Sequence, residues 1–388
     1  MTTTGKRIAA ERKLAGLKQI QLAQRTNYSL SMVRAVEQGR EPASPAFIAA
    51  AARVLRVEPE LLTGVPYRDT IEQDGPLEGS VELRTILAEG SYVEPLEPLP
   101  LVRLQAELDD IDRVYFADKG RVALARLPEV IRRLYGALHT ESDPAPVYTT
   151  LAQAFLTAER LCRRFGFTSL APTVIDRLEW AAERADDPLY VPQSLIKRAR
   201  VLMYYDRADV GLKLIERGLN AIEGTGEGVD AVRGSAHLTG AIIAARGFRP
   251  DTAEEHLHEA RRIAGPMKHE SDAYGTLFGP ANVGIHSVAV ALEAGNPDKA
   301  AREGTRLVLP KKIAPPRAGH HWQDVARAWL LIGQPDKALH SLNLARRIAP
   351  QQTRLHPSVR ETLHGIASAQ RRQSETLVSF ASWAGVAL

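Results

Sequence analysis

Apolar residues recur along this chain at the three-to-four spacing of amphipathic helices almost from end to end, and no segment alternates convincingly as a strand. The sharpest pattern is QIQLAQRTNYSLSMVRAVEQG, residues 19–39. It splits into one periodic segment carrying Leu22 and Ala23, a short break, and a second segment carrying Val33 and Val36. Asn27 falls in the break, where Asn tolerates the left-handed backbone of a tight turn. Ser29 stands at the N-cap position of the second segment, its hydroxyl set to accept from an otherwise orphan amide. Two short helices joined by a tight turn can seat the second one in a DNA major groove.

Over Gly5 to Gly64 the sequence resembles the helix-turn-helix domain of the Cro/C1-type (XRE) transcription regulators. Gln19 lies where that family has the Gln that opens helix two and holds a phosphate. Arg12 and Glu37 match the family's Arg–Glu structural pair, Gly39 the glycine ending the recognition helix, and Leu61-Leu62 the closing apolar pair. The resemblance implies a five-helix, lambda-repressor-like domain with its recognition helix from about Ser29 to Gln38. In that register Leu30, Ser31, Arg34 and Ala35 face the bases and Lys18, Gln19 and Arg40 face phosphates, with Ser29 counted in the DNA-facing set. Ser31 and Arg34 can hydrogen-bond base edges, whereas Leu30 and Ala35 offer only apolar contact, for instance with thymine methyls. The competing reading is a small helical bundle with no DNA role.

Beyond Pro66 the pattern changes. Tyr67 to Ser80 is acidic and broken by Gly and Pro, VELRTILAEG reads as a short helix, and prolines 95, 98 and 100 break the chain again. The expected organisation is a DNA-binding domain over 1–66, a linker with one short helix over 67–100, and a helical body over 101–388. The body repeats one turn: ARGFRPDTA, EAGNPDKAA, LIGQPDKAL and, more weakly, DRADVGL. Aspartates 209, 251, 298 and 336 of these turns lie 42, 47 and 38 residues apart, longer than the roughly 34-residue TPR period, so elongated inter-repeat loops are expected. Asp suits each turn because it can cap the next helix and complement its dipole.

The last repeat carries Trp322, Val325, Ala326 and Trp329, then Ala338, Leu342, Ala345 and Pro350, and resembles the TPR superfamily strongly over 315–350 and weakly back to about 100. The resemblance implies an all-α chain in which the N-terminal head is followed by a TPR-like α-solenoid. The arrangement is similar to bacterial regulators that join an XRE head to a TPR-like sensor, of which peptide-responsive quorum-sensing regulators are the best understood. It implies a sequence-specific transcriptional regulator acting on a double-stranded operator as a homodimer, with a peptide or small-molecule effector. The alternative is a TPR protein–protein interaction scaffold localised by its DNA-binding head.

Registered on the turn aspartates, two polar columns run through the body: Gln193, Ser235, Asn282 and His320, then Lys197, Thr239, His286 and Asp324. A third adds Arg200 and Arg327, with Ile242 and Ala289 between them. The expectation is either a ligand groove through Lys197, Arg200, Asn282, His286, His320, Asp324 and Arg327 or simply the wet side of a solenoid. An extended peptide is the first choice of ligand, since Asn can pair a peptide N–H and C=O at once.

Charge sharpens this division. Residues 1–66 hold ten Lys/Arg against five Asp/Glu, whereas the rest hold forty against forty-one, so the basic excess sits on the head. Cys162 is the only cysteine, which removes disulfide frameworks and cysteine metal sites. MTTTGKR has no apolar signal core and no apolar run approaches membrane length, so a cytoplasmic, nucleoid-associated protein with no membrane role is expected. GTGEG at 224–228 reads as an interhelical loop, His320-His321 lacks a third-ligand motif, and Trp180, Trp322 and Trp329 read as core. No nucleophile–base arrangement is recognisable; no catalysis, cofactor or metal is expected.

Overall fold

The computed structural model describes residues 3–57, 59–63, 77–205, 207–370, 373–386 and 388. Most of the linker expected between 67 and 80 lies outside the described residues. Among those described the chain is all-α, its one β-type pairing an isolated bridge between Ser271 and Phe278. No helix is long and apolar enough to cross a membrane.

The head is built of α1 (Thr4–Leu14), α2 (Gln19–Thr26), α3 (Leu30–Glu37), α4 (Pro45–Leu55) and α5 (Pro59–Thr63). Local chemistry sets these boundaries. The Lys18 N–H donates to Gln21 Oε1 at 2.7 Å, opening α2. Asn27 ends α2 at φ +61°, and Ser29 Oγ accepts from the Met32 amide at 3.1 Å, opening α3. Ile8, Leu22, Val33, Phe47 and Leu62 form a fully buried core, the main source of cohesion in so small a unit. Gly5 has a steric reason: a Cβ there would lie 1.9 Å from the Val36 carbonyl oxygen, so only glycine lets α1 cross α3.

After α6 (Ser80–Glu89), residues 91–100 run extended along the body. Leu96 N–H donates to the Arg132 carbonyl, and Arg132 and Arg133 donate to the Glu94 and Glu97 carbonyls. The body then stacks six helix pairs. These are α7 (Leu101–Phe116) with α8 (Gly120–Ala137), α9 (Ala145–Phe165) with α10 (Ala171–Ala182), and α11 (Tyr190–Leu202) with α12 (Ala208–Asn220). They continue as α13 (Glu227–Arg246) with α14 (Pro250–Ala264), α15 (Pro280–Glu293) with α16 (Pro297–Arg306), and α17 (Pro315–Leu331) with α18 (Pro335–Ile348). Three shorter helices follow: α19 (Pro350–Leu355), α20 (Pro357–Ala369) and α21 (Glu375–Ala384). Apolar clusters bridge successive pairs, as a solenoid requires.

The repeated turn is realised at four pair junctions, but its aspartates are not N-caps. Asp209, Asp251, Asp298 and Asp336 each sit one residue inside their helix, and the cap positions belong to Arg207, Arg249, Asn296 and Gln334. Only Asn296 of these four accepts a capping bond, from Lys299 N–H at 3.1 Å. The aspartates therefore act through the helix dipole and side-chain bonds, such as that from Arg302, one turn on, to Asp298 at 2.8 Å.

Two features alter the picture of an open solenoid. Residues 265–279, between α14 and α15, cross toward the earlier pairs, where the Tyr274 hydroxyl donates to Asp187 at 2.7 Å. Phe278 of this loop is fully buried against Gly234, where a Cβ would lie 2.0 Å from the ring. The second feature is closure. Asp118, in the turn after α7, accepts from the backbone amides of Gln351 and Gln352 at 2.8 and 3.1 Å and so caps α19 from 233 residues away in sequence. The Arg121 N–H answers by donating to Gln351 Oε1 at 3.0 Å. The last part of the stack thus meets the first.

Candidate DNA interface and enclosed chamber

The recognition segment presents a coherent outer face. Ser29, Ser31, Arg34, Lys18 and Arg40 are exposed, and Gln19, Leu30 and Ala35 are half-buried. Ser29 Oγ also lies 2.8 Å from Ser31 Oγ, and Arg40 Nε donates to Gln38 Oε1 at 2.9 Å. Beneath this face Arg12 makes a bidentate pair with Glu37, Nε to Oε1 at 2.6 Å and an Nη to Oε2 at 2.9 Å. The same guanidinium donates to the Leu17 carbonyl at 2.7 Å, tying α1, the α1–α2 turn and the end of α3 together. The hydrogen bonds to Glu37 raise the Arg12 pKa. Gln19, expected at a phosphate, spends its amide on Glu37 Oε2 at 2.8 Å. That bond uses one of its two N–H donors, so the second N–H and the carbonyl are left for any other contact.

The head is docked on the body at separated points. Tyr28, beside the start of α3, packs edge-on against Phe248 with ring centroids 5.6 Å apart. α4 lies on the short 3-10 turn Met203–Tyr205, and Thr4 Oγ1 donates to Glu361 at 2.6 Å. Glu41, just past α3, is desolvated there, which raises its pKa against the opposing pull of Arg327 and Arg40. Phe248 is 58% exposed at φ +58°, an uncommon backbone for an aromatic residue in the turn before α14.

Inside the body the predicted polar columns converge on a half-open cavity. Lys197, Arg200, Thr239, Asn282, His286 and His320 line this chamber, which is bounded by α9, α11, α13, α15 and α17. It has two lobes of about 80 and 170 Å³, joined through Arg200, Thr239 and His286. A wider vestibule of about 950 Å³ shares Arg160 and Gly275 with the first lobe. Lys197, Thr239 and Asn282 are buried, and the 265–279 loop forms part of the wall. Asp324 lines the second lobe, paired with His320 at 3.2 Å. Burial raises the Asp324 carboxyl, yet His320 outweighs it and holds the group at about 2.

Two expectations about these columns need correction. Arg327 does not line the chamber: its guanidinium bonds Glu293 at 2.9 Å, and Glu293 also pairs with Arg246 at 3.1 Å. The register places Arg327 on the right face, but a buried carboxylate on the neighbouring helix draws it aside. Gln193 is fully buried, and among the described residues neither end of its amide has a hydrogen-bond partner. His321 turns from any shared site with His320 and places Nε2 2.9 Å from the Gly304 carbonyl.

Sequence reading missed the cations opposite. Arg160 and Arg163 on α9 and Arg317 on α17 face the chamber with Lys197 and Arg200. The signal was ERLCRRF, charge carried on the buried period of an apolar helix. Their field is visible in their neighbours. Desolvation first, then Arg317, holds His286 down at about 3, while its Nδ1 lies 2.9 Å from the Asn282 carbonyl. Burial, then Arg200 and Arg163, lowers Arg317 to about 10. Burial, together with Arg200, Arg163 and Arg160, takes the Lys197 ammonium well below its ordinary range despite Glu159. Burial raises Glu159, but Arg163, Lys197 and Arg200 prevail and hold it at about 2. Cys162 is buried and its thiol pushed up to about 12, so it offers no nucleophile.

Residues 5–63 match the family model described as a helix-turn-helix domain. No curated protein matches the chain significantly. Among solved structures the chain is similar to BtubC (BKLC) from P. vanneervenii, at 17% identity over 65% of this chain and 92% of that one, with a TM-score of 0.37. It is also similar to PlcR from Bacillus thuringiensis, solved in complex with the peptide PapR7 and DNA, at 12% identity over 90% and 96% of the two chains and a TM-score of 0.29. Likeness at this level carries no functional argument.

Proposed function

We propose that this chain is a sequence-specific DNA-binding transcriptional regulator, working in the cytoplasm as a homodimer, whose helical body senses a ligand. The observation that carries the reading is the helix-turn-helix domain at 5–63, whose capped recognition helix turns Ser31 and Arg34 to solvent. A dimer would set two such helices about 34 Å apart on a two-fold operator. Lys18 and Arg40 then serve phosphates, Gln19 positions α3 through Glu37, and Arg34 reads a base.

The ligand site we assign to the chamber at Lys197, Arg200, Asn282, His286 and His320. Its small lobes, about 80 and 170 Å³, favour a compact group over an extended peptide laid along the columns. A ligand regulates only by preferring one arrangement of head and body over another, and the Tyr28–Phe248 and Thr4–Glu361 contacts are where such arrangements would differ.

Selection of DNA fragments by the purified full-length protein tests the reading. Arg34→Ala should relax preference at one base position. Arg40→Ala should weaken all sequences alike and make the salt slope shallower by about 0.9 for each phosphate no longer neutralised. Enrichment of no sequence over random fragments would overturn it.

A further inference from the structure

The chamber is a cation-rich cavity whose nearest carboxylates are bonded elsewhere. Its first lobe is lined by Arg160, Arg163, Lys197, Arg200 and Arg317, with no aspartate or glutamate on the same wall. The carboxylates near it are already engaged: Asp112 with Arg160 at 2.5 Å, Glu159 with Arg163 at 3.3 Å, and Asp324 with His320 at 3.2 Å. Two basic side chains are left without such a bond. Among the described residues no hydrogen bond or salt bridge holds the Lys197 ammonium, which is 6% exposed, and Arg317 Nε is buried without a partner. Basic groups held on facing helices without a bonded partner are pre-organised for an opposite charge.

Resting on the sensor reading above, we infer that the chamber binds a small organic anion through a terminal phosphate or carboxylate seated between Lys197 of α11 and Arg317 of α17. The Arg317 fork suits two oxygens of such a group, and Lys197 supplies a point charge from the opposite wall. Asn282, whose buried Oδ1 has no partner, accepts from a donor on the ligand, while its N–H₂ faces the Thr276 carbonyl at 3.5 Å. Leu238 and Leu277 receive apolar parts, and the vestibule beyond Arg160 leaves room for the remainder. The anion bridges helices from the third and sixth pairs, so its binding is felt across the stack.

The test is thermal unfolding of the full chain with inorganic phosphate or citrate, against chloride at equal ionic strength. One or both should raise the midpoint of the wild type saturably; which one does so separates a phosphate from a carboxylate ligand. Lys197→Met and Arg317→Met should lose that response while keeping ligand-free midpoints near the wild type, because among the described residues no hydrogen bond or salt bridge holds the Lys197 amine or Arg317 Nε. Arg317→Lys should respond at higher anion concentration, which guards against misfolding of the Met variants. Anion binding should also lift the imidazole of His286 from about 3, read by NMR titration. The inference is overturned if neither anion stabilises the wild type more than chloride does. It is overturned equally if the Met variants respond as the wild type does, or if they lose ligand-free stability as partners in an internal pair would. None of these readouts involves DNA, so failure here leaves the operator experiment standing, and the reverse.

Discussion

Glu37 holds two residues of the head at once, Arg12 and Gln19, and its neighbourhood shows what single positions in this sequence reveal. The Arg12–Glu37 pair was legible because both residues stand at positions of a known motif; the third member, Gln19, was legible as a position but not as a partner. Arg12→Ala should cost about 3 kcal/mol, since it strands a nearly buried carboxylate. A double-mutant cycle with Glu37→Ala, measured by urea unfolding, should show strong coupling; additive effects would refute the pairing. The chamber histidines make a prediction about pH. His286 and His356 are held at about 3 in the fold, by burial and then by Arg317 and by His320 respectively, while the unfolded chain protonates them near 6.5. Below about 6.5 the unfolded state therefore binds protons that the folded state refuses until about 3, so stability falls with acidity by up to about 1.4 kcal/mol per pH unit for each histidine. Urea midpoints between pH 7 and 5, without phosphate, should decline, and His286→Gln should flatten the slope; an unchanged slope would show that this imidazole is not desolvated as described.

Helix boundaries in the head were legible because the residues that set them are few and local. Asn27, Ser29 and Gly39 punctuate α2 and α3 where their chemistry requires, with Gly39 at φ +72°. Ser29→Ala should cost about 1 kcal/mol, and Ser29→Asn should recover most of it, since Asn also caps. Both are read from urea unfolding of the full chain; equal losses in the two variants would argue that the hydroxyl acts through Ser31 instead. In the body the repeated aspartate marked each turn correctly but was one residue inside the helix, because dipole complementation tolerates a shift that capping does not. The pairs α7–α8 and α9–α10 lack that turn and showed only as helical period. The columns were legible as faces because helical register fixes direction. What covers a face depends on chain far away in sequence, so an expected wet surface became the lining of a cavity.

At the scale of the molecule the decisive contact has no local signature. Asp118 and α19 meet across 233 residues, and nothing in the sequence FADKG distinguishes that aspartate from a surface turn. Burial raises the Asp118 carboxyl against the pull of Arg164, whose side chain is 2% exposed, and of two amides. Asp118→Ala should remove a helix cap and strand Arg164, for a loss of about 3 kcal/mol. Hydrogen exchange should accelerate in α19 and at the start of α8 while α14, far from the seam, keeps its protection; uniform acceleration would mean that the contact merely adds global stability. A stack whose ends are joined behaves as a hoop. In an open coil each interface flexes independently, but in a hoop the angular displacements must cancel around the circuit. A wedge entering between α11 and α17 is therefore distributed to every joint, including those far from it. The head rests on this hoop at the turn after α11, at the turn before α14 and on α20. Three supports on one closed frame cannot all stay level when its curvature changes. On the sensor reading proposed above, the head would work as a strain gauge, tilting with a deformation that begins far from it.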